Sequence, residues 1–440
     1  MTNQWATKGL LVIFFIVITL MTVFRPTIAQ PSSPDQTVVS FACWGSFRDW
    51  QMIREIVDHF EERNPDIWIK MKYIPANFGD VIQLMFSADV APDVIMMEDE
   101  PLPAFAEYGK FTDLSEWVLS TDSPTDWAND FWPTAPESFA YKGQILGLPI
   151  WGGNVLVYCN RKTFRDLGVP LPADDWTLDD FIATAQALTR DTDGDGVVDT
   201  YGFSLPTTWV YFMPFTWGFG ANYLNENFTD WAFTGPEAVR ATAFYQDLRF
   251  KYRVSPAVTC VVPELQNRME GALFSMGRIA MMISGPWSSP DLIATGVDFD
   301  VAHIPIGPLG KRCTRVTWDG ISMFHGCQNK EAAWRFMSFF VSQEAQDIVG
   351  RYTRAIPARK AARDSFVKPD NGWNEERFIE AMEYARLQPI TKEYVRMTQA
   401  MDPIYAQLLL NRITPEDAVE EMARKMHDAR DRIFPIEAGR

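Results

Sequence analysis

Apolar residues run almost unbroken from Val38 to Trp44 between polar turns, a stretch of strand length, which predicts a buried first strand. Met52, Ile53, Ile56, Val57 and Phe60 then recur at helical spacing until Asn64-Pro65, where the proline ends the helix. Further strands are predicted around Ile67 to Tyr73 and at Val94-Ile95-Met96-Met97. Strand, helix and strand in alternation predict an α/β fold built on a parallel sheet. In such sheets ligands bind beyond the carboxyl ends of the strands, which draws attention to Trp44 through Asp49 and to Glu98-Asp99-Glu100. A carboxylate of that triplet, with Glu98 and Asp99 as candidates, is expected at the mouth of a site; the plainer role is a helix cap.

Farther along, Asp174 to Arg190 reads as an amphipathic helix capped by Thr177, and Pro415 to Arg432 as a C-terminal helix. In Phe274 to Trp287 a helix end delivers Gly277, an apolar strand follows from Ile279 to Ile283, and Gly285-Pro286 turns the chain so that Trp287 leaves a strand end. No internal repeat or low-complexity segment interrupts this order.

The N-terminus changes the picture. Lys8, an apolar run from Leu10 to Val23 and the small-residue stretch Thr27-Ile28-Ala29 have the layout of a cleavable signal peptide, 1–29, followed by a linker, 30–37. The apolar run is shorter than the roughly 18 to 20 residues that span a bilayer. The nearest cysteine, Cys43, lies too far on to serve as a lipid-modified first residue, so a soluble periplasmic protein is expected. The formal net charge of −17 becomes more negative once Lys8 and Arg25 are removed, which makes nucleic acid a poor partner. Five cysteines leave at least one unpaired; Cys43 and Cys159 read as buried thiols, whereas Cys313 and Cys327 flank a strand and are candidates to close a loop. About 410 residues after the leader exceed one core and predict two lobes.

Three stretches, APDVIMMEDEPLPAFAEYGKFTDL from Ala91, FSMGRIAMMISGPW from Phe274 and NKEAAWRFMSFFVSQEAQ from Asn329, together with LPIWGGNVLVYCNRKTF from Leu148 and EAMEYARLQPI from Glu380, resemble the extracellular solute-binding proteins of ABC importers, specifically family 1, which includes the maltose-binding protein. The resemblance covers nearly everything after the leader. It implies a two-lobed, hinge-linked periplasmic-binding-protein fold with the ligand between lobes, 38–149 with 320–383 forming one and 150–319 with 384–440 the other. It further implies crossings near the glycines after Trp151, near Trp318-Asp319-Gly320 and near Glu380 to Glu383. The implied partners are a carbohydrate and the membrane permease, with the receptor a monomer and no cofactor consumed.

Sugar capture needs flat apolar faces and placed polar groups. With aromatic residues at 14% and 16 tryptophans, rings beyond core needs are available. Trp44, Trp151, Trp217, Trp287 and Trp318 each follow a strand or sit in a glycine-rich segment and are the expected stacking residues; Asp319, Arg48 and Arg354 are the polar candidates. The segment DTDGDGVVDTYG suggests a calcium loop in which Asp191, Asp193, Asp195 and Asp199 are ligands, although Gly202 stands where a bidentate Glu belongs. Four histidines without metal or triad spacing leave nucleophilic chemistry unsupported. Two alternatives remain at this point: a secreted glycoside hydrolase using Glu98 or Asp99 with Asp319, and a receptor for glycerol-3-phosphate or its diesters using Arg48 and Arg354.

Overall fold

A computed structural model describes residues 33–121, 123–226, 230–256, 270–368 and 371–433, with backbone alone for 429–433. The expected signal peptide and most of the linker lie outside the described residues. Among the described residues no helix is long and apolar enough to cross a membrane.

The opening alternation folds as predicted. β1 (Thr37–Cys43) and β2 (Ile67–Tyr73) pair in parallel along their whole length, and β3 (Val94–Glu98) pairs in parallel on the other side of β1. The intervening helix Phe47–Arg63 begins at a capping box in which Ser46 and Asp49 each satisfy the other's backbone N–H, and buries Met52, Ile53, Ile56, Val57 and Phe60. A small hairpin, β4 (Ala140–Tyr141) with β5 (Gln144–Ile145), precedes β6 (Leu148–Asn154).

After Val155 the chain enters a second sheet as β7 (Leu156–Asn160), joined by β8 (Tyr201–Phe203), β9 (Ile279–Ser284) and β10 (Phe299–Ala302) in the order β10–β7–β9–β8. β11 (Thr314–Met323) returns to the first sheet and runs antiparallel between β3 and β6. β12 (Ile356–Pro357) closes the edge beyond β6, and β13 (Ala385–Leu387) pairs with the start of β11. The predicted amphipathic helix appears as Leu178–Leu188 with a Thr177–Asp180 capping box, and the C-terminal helix Pro415–Ile433 packs Ala418, Val419 and Met422 onto the second lobe.

Two hydrophobic cores define the lobes. One gathers Phe41, Ile53, Trp151, Trp318, Phe336 and Phe340; the other gathers Tyr158, Phe181, Trp209, Tyr245, Phe299 and Tyr405. They move the expected boundaries: Ile150, Trp151, Val316 and Trp318, expected in the second lobe, belong to the first core, so the first two crossings fall near Val155 and Thr314. Phe366, Trp373, Phe378, Ile379 and Ala381 belong to the second core, so the last return leaves the first lobe after Ala358 rather than near Glu380–Glu383. Gly152 and Gly153, expected where the chain first crosses between lobes, lie buried in β6 just before that crossing. Close approach explains them: a Cβ on Gly152 would stand 2.4 Å from the Trp318 ring, and one on Gly153 3.0 Å from that of Trp287.

A bridge between Cys313 and Cys327 does not form. The two sit in different cores at opposite ends of the extended β11, roughly 30 Å apart at strand rise, whereas a disulfide needs its Cα atoms within about 7 Å; Cys43, Cys159, Cys313 and Cys327 are all free and buried. Burial pushes the thiols up, to about 12 at Cys43 and Cys327 and about 11 at Cys313. These four cysteines should therefore resist a thiol reagent in the native protein and react together once denaturant opens the lobes. Mass mapping of labelled peptides checks this, and rapid native labelling at any of the four counts against the packing.

Candidate ligand-binding cleft

Alternation along β11 builds one wall of a cleft between the lobes. With side chains switching faces at every residue, Arg315, Thr317 and Asp319 face the cleft, while Val316 and Trp318 enter the first core. Register extends the wall sideways: Asp319 pairs with Glu98 on β3 and with Trp151 on β6, so carboxylate, carboxylate and indole form one row across three strands. The Trp151 indole N–H donates to Asp319 Oδ2 at 2.7 Å. Arg354, from the loop before β12, lines the same cleft and is ion-paired to Asp49 in the capping box of the first helix. The second lobe contributes Trp287 and Tyr211, whose side chains hydrogen bond to each other, and the Arg315 guanidinium lies 5.0 Å from the centre of the Tyr211 ring. The cleft is partly open to solvent and offers about 200 Å³ of interior space.

Glu100 completes the polar set. It accepts from the Gln388 side-chain amide, and Gln388 Oε1 in turn accepts from Arg315 Nη1 at 2.6 Å. Three carboxyl groups thus crowd one region against two guanidinium groups, one of them held by Asp49. Glu98 faces the cleft from the end of β3; partial loss of water there, then repulsion from Glu100 and Asp319, pushes its carboxyl well up. Asp319 is raised to about 7, chiefly by burial, with Arg354 and the Trp151 hydrogen bond pulling it back.

The expected site residues therefore divide. Trp44, Glu98, Trp151, Trp287, Asp319 and Arg354 surround this one cleft. Trp151 is only 1% exposed and packs against Phe340, so it offers its N–H through Asp319 rather than a stacking face. Trp318 is a core residue: fully buried, its indole N–H donates to Thr134 Oγ1 at 3.0 Å. Trp217 lies in the helix Trp209–Gly218 within the second core, with Arg386 over its ring. Asp99 is fully buried and turns away, accepting from the Trp318 backbone N–H at 2.9 Å and from Thr317 Oγ1 at 2.8 Å, so it locks the end of β3 to β11. Arg48 lies exposed in the first turn of its helix, over Tyr352, and does not line the cleft.

Sequence reasoning missed Arg315, Thr317 and Tyr211, and named Glu100 only as a member of the acidic triplet. Period-two spacing from Asp319 was the available signal for the first two. Tyr211 sits in an apolar helix whose pattern does not distinguish it.

In the acidic loop, ligand atoms of Asp191, Asp193 and Asp195 lie within 4.8 Å of one another. The carboxylates already accept backbone N–H groups, Asp191 from Gly194 and Gly196, and Asp195 from Val197. Asp199 stands apart from the three; hydrogen bonds from the Thr192 hydroxyl and backbone N–H, then the ion pair with Arg278 at 2.9 Å, hold its carboxyl low. The donor set fits a hard cation through three carboxylates, not four, and none of the loop lines the cleft.

A model of bacterial extracellular solute-binding proteins matches residues 48–347. A binding protein of Brucella abortus is 25% identical over 384 residues, 84% of this chain and 88% of its own length. The maltotriose-binding protein of Pyrococcus abyssi is 23% identical over 296 residues, 66% of this chain and 60% of its own. Among solved structures, an ABC substrate-binding protein of Listeria monocytogenes in complex with cycloalternan superposes with a TM-score of 0.79 at 24% identity, covering 90% of this chain and all of that one. At that identity the likeness speaks for the fold.

Two outcomes follow from this geometry. Trp318→Ala should cost about 3 to 5 kcal/mol of stability, as removal of a core indole does, read by urea denaturation; a loss below 1 kcal/mol would contradict its place in the core. The second concerns Asp319, which keeps its proton to about pH 7 when folded, whereas an unfolded Asp releases it near pH ~4. Folding takes up a proton between those values, so this group's contribution to stability falls as pH rises from about 4 through 7. Asp319→Asn, whose amide oxygen still accepts from Trp151, should reduce that slope and exceed the parent in stability at pH 8. Denaturation at pH 5 and pH 8 checks it, and an unchanged slope refutes the proton uptake.

Proposed function

The chain belongs to the bacterial extracellular solute-binding protein family, and from that premise we propose that it captures a neutral oligosaccharide between its lobes and delivers it to the permease of an ABC importer. The observation that carries this reading is the meeting of aromatic surfaces from both lobes, Trp44 from the first and Trp287 from the second, around the row of Glu98, Asp319 and Arg354. Indole faces suit the C–H surfaces of a sugar, and the carboxylate and guanidinium groups suit its hydroxyls. Contacts made from both lobes at once favour the closed arrangement over the open one. The maltotriose-binding protein of Pyrococcus abyssi supports an oligosaccharide of the maltotriose kind as ligand. The reading includes a periplasmic monomer whose leader is cleaved after Ala29.

The glycerol-3-phosphate alternative asked for Arg48 and Arg354 turned inward together. Arg48 is outside the cleft, Arg354 is committed to Asp49, and three carboxyl groups would face the phosphate. Hydrolysis is disfavoured too: a glycosidase flanks the scissile bond with its two carboxyl groups, whereas Glu98 and Asp319 are neighbours on one wall. The acidic loop is a structural calcium site through Asp191, Asp193 and Asp195, remote from ligand capture.

Trp287→Ala should weaken oligosaccharide binding by about tenfold to a hundredfold with little change in melting temperature. Titration calorimetry with maltotriose, cellotriose and chitotriose, alongside thermal melts of the same variant, tests it. A large fall in melting temperature with affinity retained would show that the ring serves the fold instead. Calcium should raise the melting temperature without altering sugar affinity; a chelator that abolishes binding but leaves the melt untouched would reverse that assignment.

A further inference from the structure

Beside the polar cleft lies a second chamber of different chemistry, partly open to solvent and offering about 200 Å³. It sits beyond the carboxyl ends of the parallel strands β1, β2 and β3, and its walls are Trp44, Phe78, Ile82, Met97, Pro101 and Phe105. Glu98 is its one charged lining residue. Trp44 and Glu98 line both chambers, so the two meet along that indole and that carboxylate. The Trp44 and Phe78 rings pack at 4.7 Å between centres, tilted by 49°, and brace the wall from the second strand's side. Gly79, exposed in the first turn of the helix Phe78–Ser87, stands at the chamber's rim, where a Cβ would meet nothing within 4 Å.

A sugar ring fits this space poorly. Its hydroxyls would leave water for walls that offer one carboxylate, and each unpaired hydroxyl costs free energy. An apolar group loses nothing by the same move and gains by burial. Three aromatic rings and the Met97 thioether favour a planar aromatic occupant, which such side chains meet at face and edge.

We infer that the ligand is a glycoside carrying an aromatic substituent, its sugar held at the Glu98, Asp319 and Arg354 row and its aryl group lodged in the Trp44, Phe78 and Phe105 chamber. This rests on the sugar-receptor reading and adds to it the class of the substituent. Glu98, at the junction, is placed to accept from the hydroxyl nearest the glycosidic oxygen.

The test compares methyl and phenyl glycosides of maltose, cellobiose and diacetylchitobiose by tryptophan fluorescence titration. In the parent protein the phenyl member of the pair that binds should be tighter by about tenfold to a hundredfold. Gly79→Leu adds a bulky side chain at the chamber's rim, at a helical position without backbone strain; by narrowing the entrance it should abolish that preference and leave the methyl glycoside's affinity unchanged. Equal affinity for the two members, or a preference that survives Gly79→Leu, overturns the inference. Phenol alone, followed by saturation-transfer NMR, separates the two readings. If every glycoside is silent while phenol binds the parent and not Gly79→Leu, the sugar reading fails and the chamber stands; phenol bound to neither, or equally to both, removes the chamber.

Discussion

The burial of the Trp318 indole in the first core is the constraint on which the cleft depends. It anchors β11 in one register, and because faces alternate along a strand, a slip of one residue would put Arg315, Thr317 and Asp319 into the core and expose the ring. Three further features hold that register. Gly152, opposite Trp318 on β6, lacks the Cβ that would strike the ring. Asp99 accepts from the Trp318 backbone N–H and fixes β3 against β11. The Thr134 hydroxyl satisfies the indole N–H that burial would otherwise orphan.

The cleft wall that results is electrostatically costly. Like charges directly opposite on adjacent strands repel, and Glu98 faces Asp319 with Glu100 close by. The protein offsets this in part by shifting protonation upward, in part through the Trp151 indole donor, and in part with guanidinium groups that are themselves tethered. Arg354 is anchored by Asp49 and Arg315 by Gln388 and Tyr211, so neither is free to collapse onto the carboxylates. Donors and acceptors remain presented to the cleft, and a ligand rich in hydroxyls can supply the missing partners. The wall is preorganised at the expense of stability, a common pattern at binding sites.

The alternating fold, the capped helices and the two-lobed division were legible because each rests on local periodicity and turn chemistry. Residues at strand ends were legible only up to the direction of the side chain. Trp318 and Asp319 are neighbours in one motif, yet opposite faces of β11 send one to the core and the other to the cleft, and this depends on which face pairs with which core. Asp99 and Glu98 differ in the same way at the end of β3. Trp217 misled because its glycines follow a helix end instead of forming a loop, and Arg48 because the capping box turns Asp49 inward and leaves its neighbour outside. Tyr211 and Gln388 reach the wall from distant parts of the chain, a proximity no local pattern encodes.

Trp287 shows how backbone and site were fitted together across the lobes. Its ring covers the backbone at Gly285 and at Gly153, where a Cβ would stand 2.3 Å and 3.0 Å from it. Gly285 is in its own lobe and Gly153 is on β6, at the crossing into it. The ring therefore lies against the segment where the chain passes between lobes, and its position depends on how that segment is held. A ligand stacked on Trp287 and bonded to the β11 row would load both sides of the crossing at once. The contact between one indole and two glycines thus places the proposed stacking face directly at the crossing between the lobes.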